Sequence, residues 1–160
     1  MATLRFSFGT MGSGKSTVAL QIHHNLASRG LRGLLLTRLD RDGTQVTSRL
    51  GVAAPAVEVN DEVDLFALAA ARAPLDYLVC DEAQFYAPAQ CDQLARVVDE
   101  LGADVYAFGL ITDFRGLLFE GTNATRPGQL TRSLFVNLSL TLQAKALGWQ
   151  IRSSSRGAHA

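Results

Sequence analysis

The stretch that most restricts the fold lies in the first 27 residues. An apolar run from Leu4 to Phe8 reads as a buried strand, glycines follow at positions 9, 12 and 14, and Val18, Ala19, Ile22 and Leu26 then recur at helical spacing through residues 16 to 27. A strand therefore feeds a glycine-rich loop that opens a helix. The nine residues Gly9-Thr10-Met11-Gly12-Ser13-Gly14-Lys15-Ser16-Thr17 fit the pattern G-x-x-x-x-G-K-[ST] in that setting. Glycines let the backbone turn tightly and aim amide N–H groups at an anion, to which the positive end of the helix dipole adds. On this reading Lys15 reaches the β- and γ-phosphates of a nucleotide, Ser16 offers a hydroxyl to Mg²⁺, and Thr17 sits on the next helical position.

Composition sets the frame around that loop. A chain of 160 residues, 48% of them hydrophobic, holds one main domain with a sizeable core and is too short for two ordinary ones. Fifteen basic and fifteen acidic residues cancel, so no global field draws the chain to nucleic acid or to an anionic membrane. The N-terminus reads as neither a secretory signal nor a membrane span, which predicts a cytosolic protein. Cys80 and Cys91 are the only cysteines; they read as packed thiols and exclude a disulfide framework or a complete zinc site.

Along the chain, strands and helices alternate. Gly30 is a C-cap after the first helix, and residues 33 to 39 read as a second buried strand. Residues 40 to 60 read as a loop, with Asp42-Gly43 as a turn signal, an irregular stretch at residues 53 to 55, and a short strand near Val57 and Val59. Asp61 or Asp64 caps a helix through Leu65, Leu68, Ala69 and Arg72, and Pro74 stops it before a strand over residues 75 to 80. A helix from Pro88 to Leu101 buries Leu94, Val97, Val98 and Leu101 and ends at Gly102, and the next strand covers residues 105 to 110. The alternation predicts an α/β, three-layer P-loop (RecA-like) domain with a mainly parallel sheet, in which ligands gather at the carboxyl ends of the strands. Leu134, Val136, Leu138, Leu140 and Leu142 alternate at strand period, and the Ser/Arg-rich residues from Arg152 to the end are composed like a tail without a packed core. His23 and His24, adjacent in the middle of a helix, cannot share a face and predict a surface or packing role.

The strand over residues 75 to 80 delivers Asp81-Glu82-Ala83-Gln84-Phe85 to the same end of the sheet. An acidic residue just past an apolar strand, in a chain with a phosphate loop, is where a second Mg²⁺ anchor belongs, through a coordinated water, and Asp81 takes that role. Glu82 is the candidate base, since a carboxylate beside the metal can accept a proton from an attacking hydroxyl. The bland reading, in which both acids only cap the following turn, is weakened by the phosphate loop's need for such a ligand.

At this point the residues resemble the type II thymidine kinases. The phosphate loop, Val46-Thr47-Ser48-Arg49-Leu50-Gly51, Asp81-Glu82-Ala83-Gln84 with Phe85, and Gly109-Leu110-Ile111-Thr112-Asp113-Phe114-Arg115-Gly116 with Phe119-Glu120-Gly121 look like successive family motifs in order. The resemblance implies transfer of the γ-phosphoryl of ATP to the 5′-hydroxyl of thymidine, a step of nucleotide salvage. It implies Glu82 as the catalytic proton acceptor, Mg²⁺ held through Ser16 and Asp81, and Asp81, Ala83 and Gln84 grouped with the loop residues Gly9 to Thr17 in the nucleotide site. It also implies a thymine pocket lined by Met11, Phe85, Leu110, Phe114 and Phe119, and a homotetramer. A planar base does want aromatic and aliphatic walls, although Leu110 reads equally as core. Arg41 and Arg115 are candidate phosphate or loop-anchoring cations beside the default of solvated arginines.

The resemblance covers residues 1 to 121, the kinase core. The family's zinc lobe with paired cysteines and its lasso loop over thymidine have no counterpart in residues 122 to 160, which read as an atypical tail of truncated, rearranged or frame-shifted origin. Losing a lid exposes the reacting centre to water and loosens the acceptor, so impaired turnover is expected, with nucleotide binding surviving better than thymidine binding. Two rivals remain on sequence grounds. One is a nucleic-acid-stimulated ATPase, because Asp81-Glu82-Ala83-Gln84 also resembles a helicase-type motif, and the other is a non-catalytic nucleotide-binding module.

Overall fold

A computed structural model describes residues 2–38, 45–47 and 53–110. Five strands, β1 (Leu4–Phe8), β2 (Gly33–Thr37), β5 (Val57–Glu58), β6 (Tyr77–Cys80) and β7 (Asp104–Gly109), form one parallel sheet in the order β1-β7-β6-β2-β5. Three helices, α1 (Lys15–Ser28), α2 (Leu65–Ala70) and α3 (Pro88–Leu101), alternate with them. β6, at the centre of the sheet, is buried along its whole length and reads as a continuous apolar run, while Arg5 of β1 and Glu58 of β5, on the two edge strands, are exposed.

Alternate residues of each central strand feed two separate cores. Leu36, Leu78, Cys80, Val105 and Ala107 face α2 and α3, joined by Leu65, Ala69, Leu94 and Val97. Leu35, Tyr77, Val79 and Phe108 face the other way onto Ala19 and Leu20 of α1. Helix, sheet, helix gives the three layers that the alternation predicts.

The helix boundaries follow local chemistry. Gly30, at φ +81°, closes α1: its N–H donates to the Ala27 carbonyl at 2.9 Å and the Leu31 N–H to the Leu26 carbonyl at 3.2 Å, the paired pattern of a left-handed C-terminal cap. Asp64 caps α2 by accepting from the Ala67 N–H at 2.9 Å, while Asp61, the other candidate, pairs with Arg38 at 2.5 Å. Pro88 opens α3 and Gly102, at φ +67°, ends it.

Two features depart from the sequence reading. Residues 53 to 55, expected to be irregular, form strand β4 (Ala53–Pro55), antiparallel to β3 (Gln45–Thr47) in a separate two-stranded ladder. Strands of three residues are too short for a period to register, and their stabilisation comes from a partner strand outside the segment. Second, β2 ends at Thr37, and Val59, just past β5, donates its N–H to the Thr37 carbonyl at 2.7 Å. Residues 39 to 44 and 48 to 52, with Arg41, the Asp42-Gly43 turn and most of the Val46 to Gly51 motif, lie outside the described residues. So do residues 111 to 160, which carry Phe114, Arg115, Phe119, the alternating leucines and the tail.

Candidate active site

The phosphate loop runs from β1 into α1 and is closed on itself. The Ser13 N–H donates to the Thr10 carbonyl at 3.1 Å, and the Lys15 ammonium donates to the same carbonyl at 2.8 Å and to the Ser13 hydroxyl at 3.4 Å. Gly12 and Gly14 adopt φ of +79° and +82°, the left-handed region in which a side chain would be strained. Gly14 is the N-cap residue of α1 and supplies no side-chain cap, so the first turn of the helix has no capping side chain over its N–H groups. This is the arrangement of an anion cradle. Gly9 anchors the loop's entry, donating its N–H to the Gly109 carbonyl at the end of β7.

Two strands away, β6 delivers Asp81 and Glu82 to the same rim of the sheet. β7 lies between β1 and β6, so their axes stand about 10 Å apart at ordinary strand spacing. Side chains reach into that gap: the Ser16 hydroxyl and the Lys15 ammonium are both near enough to the Asp81 carboxylate to favour its charged form. The Asp81 carboxyl is pushed up to about 6, first by burial. The Ser16 hydroxyl opposes that shift, the neighbouring Glu82 charge adds to it, and the Glu82 N–H and Lys15 oppose it. A buried carboxylate and a hydroxyl are hard oxygen donors, and Mg²⁺ bound with nucleotide uses one or two protein oxygens beside phosphate and water. Ser16 and Asp81 therefore fit that ion.

Glu82 stands at the strand tip with φ +55°, the one non-glycine residue in the left-handed region among the described residues. A backbone there costs of order 1–3 kcal/mol and persists where surrounding contacts determine it. Those contacts are present. The Glu82 N–H donates to Asp81 Oδ1 at 3.1 Å, the Glu82 carbonyl accepts from the Phe85 N–H at 3.1 Å across the 3₁₀ turn Ala83–Phe85, and the carboxylate accepts from Gln84 Nε2. Sequence reasoning found the acid and missed this geometry, because nothing in residue type marks a glutamate at positive φ.

Of the expected pocket residues, Met11 is 77% exposed on the phosphate loop, and Phe85 and Leu110 are half-buried near the tips of β6 and β7. Phe114 and Phe119 lie outside the described residues. Among the grouped nucleotide residues, Ala83 is buried in the core and Gln84 is fully buried, its amide directed at Glu82 and at the Leu110 N–H.

Other candidates resolve as packing. Burial pushes the Cys80 thiol up to about 12 and the Cys91 thiol to about 11, so both stay protonated and unreactive. His23 lies against Tyr77, whose hydroxyl is 3.0 Å from His23 Nδ1, and the imidazole is held below its ordinary value first by burial and then by His24. Tyr77 in turn packs its ring over Gly33, where an added Cβ would meet it at 2.2 to 2.4 Å.

Comparison with known proteins gives the family. A family model described as thymidine kinase matches residues 2–127. A thymidine kinase of Streptomyces coelicolor is 50% identical over 154 residues, which cover 93% of this chain and 68% of the relative. The thymidine kinase of Streptomyces avermitilis is 47% identical over the same shares, and that of Cutibacterium acnes is 49% identical over 127 residues, 76% of this chain and 59% of the relative. With half of its residues shared with a curated relative, and with a family match that runs through both the phosphate loop and the acidic strand tip, the chain belongs to the thymidine kinase family.

Proposed function

We propose that this chain transfers the γ-phosphoryl group of ATP to the 5′-hydroxyl of thymidine, giving thymidine 5′-monophosphate and ADP. The observation that carries the reading is the convergence of Lys15, Ser16, Asp81 and Glu82 on one rim of the sheet, at the carboxyl ends of the parallel strands β1 and β6 that flank β7. Loop residues Gly9 to Thr17 hold the phosphates, and Lys15 leaves the Thr10 carbonyl for the β- and γ-phosphates. Ser16 and, through water, Asp81 hold Mg²⁺, which when bound neutralises charge on the transferring group. Glu82 accepts the hydroxyl proton as the new O–P bond forms and the bond to the β-phosphate bridging oxygen breaks. Met11, Phe85 and Leu110, with Phe114 and Phe119, wall the thymine ring.

The same reading puts the reaction in nucleotide salvage in the cytoplasm, carried out by a homo-oligomer. No helix among the described residues is long and apolar enough to cross a membrane, and zero formal net charge disfavours nucleic acid as a partner.

The test follows ADP release from the purified chain with Mg-ATP alone, with thymidine, and with single-stranded DNA or RNA. Thymidine should stimulate release, and Glu82→Gln or Lys15→Ala should abolish the stimulation. Stimulation by nucleic acid would replace the kinase reading with that of an ATPase, and silence in every arm would leave a nucleotide-binding module.

A further inference from the structure

Gln84 is 1% exposed, and both ends of its side-chain amide are used. Its Nε2 donates to the Glu82 carboxylate, two residues back, and its Oε1 accepts from the Leu110 N–H at 3.1 Å, 26 residues on. The two partners fix which way the amide faces. A flipped amide would set oxygen against a carboxylate and an NH₂ against an N–H, two repulsions in place of two bonds. The fit extends to Gly109, where a Cβ would lie 2.9 Å from Gln84 Oε1 and 3.0 Å from its backbone nitrogen, so only glycine lets β7 approach this closely. The carbonyl of that same Gly109 accepts the N–H of Gly9, the first residue of the phosphate loop. Phosphate loop, tip of β7, Gln84 and Glu82 are thus joined in one unbroken series of contacts.

We propose that Gln84 is a positioning residue that orients the Glu82 carboxylate and ties it to Leu110 and to the phosphate loop, so that the proton acceptor is held in register with both the phosphate donor and the nucleoside side of the site. The inference rests on the kinase reading and deepens it. It gives Gln84 a task other than contact with nucleotide: its donor arm is committed to Glu82 and its acceptor arm to the backbone. The carboxylate, on a backbone of positive φ, is restricted further by this bond.

The test combines two variants with a double-variant comparison. Gln84→Met keeps shape and removes both polar arms; Gln84→Asn keeps an amide one methylene too short to span both partners, so it serves where the methionine variant does not fold. Either should lower thymidine-dependent kcat about 10- to 100-fold, the scale of a displacement of about 1 Å at a reacting group, while KM for ATP and binding of a non-hydrolysable ATP analogue change by less than about threefold. In a Glu82→Gln background, where turnover is already lost, adding Gln84→Met should leave binding of the non-hydrolysable ATP analogue unchanged within about threefold. A purely structural role would weaken analogue binding in both backgrounds, and that result overturns the proposal. Independently of turnover, the side-chain amide protons of Gln84 in ¹⁵N-labelled protein should exchange at least about tenfold more slowly than those of exposed Gln21, with that protection lost in Glu82→Ala. Exchange as fast as in Gln21, or protection unchanged in Glu82→Ala, also overturns it. Absence of thymidine-dependent turnover in the unaltered chain is a separate result that overturns the kinase reading and with it the catalytic meaning of the bridge.

Discussion

Replacing Asp81 by asparagine should stabilise the nucleotide-free protein at neutral pH. The residue is 3% exposed and its carboxyl titrates at about 6, against 3.8 in an unperturbed chain, with burial as the leading cause. The folded protein therefore holds the Asp81 proton more tightly than the unfolded chain does, and ionisation works against folding. The cost is absent below about pH 4, grows as pH rises through the interval between the two values, and is complete above about pH 6. Two pKa units correspond to about 3 kcal/mol, which is a ceiling because local relaxation eases the charged form. Asparagine has nearly the same shape, keeps an oxygen for the Glu82 N–H, and cannot ionise. Urea unfolding of both proteins without nucleotide should show midpoints that coincide near pH 4, with the Asp81→Asn variant more stable by about 1–3 kcal/mol near pH 8. Mg-ATP should reverse that order: ligand at a hundred times its Kd adds about 2.7 kcal/mol to the protein that binds it and little to the one that has lost its metal ligand. A variant less stable than the parent near pH 8, or a difference that does not vary with pH, would refute the argument that Asp81 carries an unfavourable buried charge kept for the metal.

Three further outcomes test the packing that supports the site. Gly33→Ala drives a methyl into the Tyr77 ring, which is buried and held at its hydroxyl by His23, and should cost about 1–3 kcal/mol in urea unfolding; a loss under about 0.5 kcal/mol would mean that the ring shifts freely. Gly30→Ala meets no atom within 4 Å, so its cost, about 1 kcal/mol, should come from the positive φ alone, and Gly30→Asn should recover part of it; equal losses for alanine and asparagine would refute a backbone origin. His23 is held below its ordinary 6.5, so the unfolded chain takes up its proton first and stability falls as pH drops below about 6.5; His23→Gln should flatten that loss in thermal melts recorded from about pH 7.5 to 5, and an unchanged slope would place the effect elsewhere.

Residues that announce local chemistry were legible from sequence. Glycines 9, 12 and 14 ahead of Lys15 specify a loop conformation few other sequences reach, and the apolar run that ends at Cys80 sets Asp81 at a strand tip whatever the strand order. α3 could be bounded at Pro88 and Gly102, because a ring that fixes φ and a residue that tolerates positive φ act on their own backbone. What escaped depends on partners elsewhere in the chain. Gln90 is fully buried, accepting from the Ala87 N–H and donating to the carbonyls of Asn60 and Val63, contacts no periodicity reveals. The β3–β4 ladder, the Tyr77 hydroxyl on His23 and the reach of Gln84 to Leu110 are likewise pairings between separate segments. Strand order belongs to the same class: alternation predicts a parallel sheet without saying that β7 separates β1 from β6.

That separation explains why the rim needs its connecting residues. Had β6 paired directly with β1, backbone hydrogen bonds alone would have fixed the acids against the phosphate loop. With β7 between them, the distance of about two strand spacings must be spanned by groups that β7 itself carries or admits. Its last residue, Gly109, does this on both sides: its carbonyl takes the Gly9 N–H, and its missing side chain leaves the space in which Gln84 reaches the next amide, that of Leu110. Ser16 crosses from the helix side to Asp81. On the proposed function, the relative placement of donor phosphates, metal ligands and proton acceptor thus depends on three small or fully buried residues, Gly109, Gln84 and Ser16, as much as on the charged groups they arrange. Gly109→Ala, whose methyl would meet Gln84 Oε1, Gln84 N and the Phe6 ring at 2.9 to 3.2 Å, should accordingly lower thymidine-dependent ADP release while circular dichroism shows the sheet still formed, and unchanged release would refute this dependence.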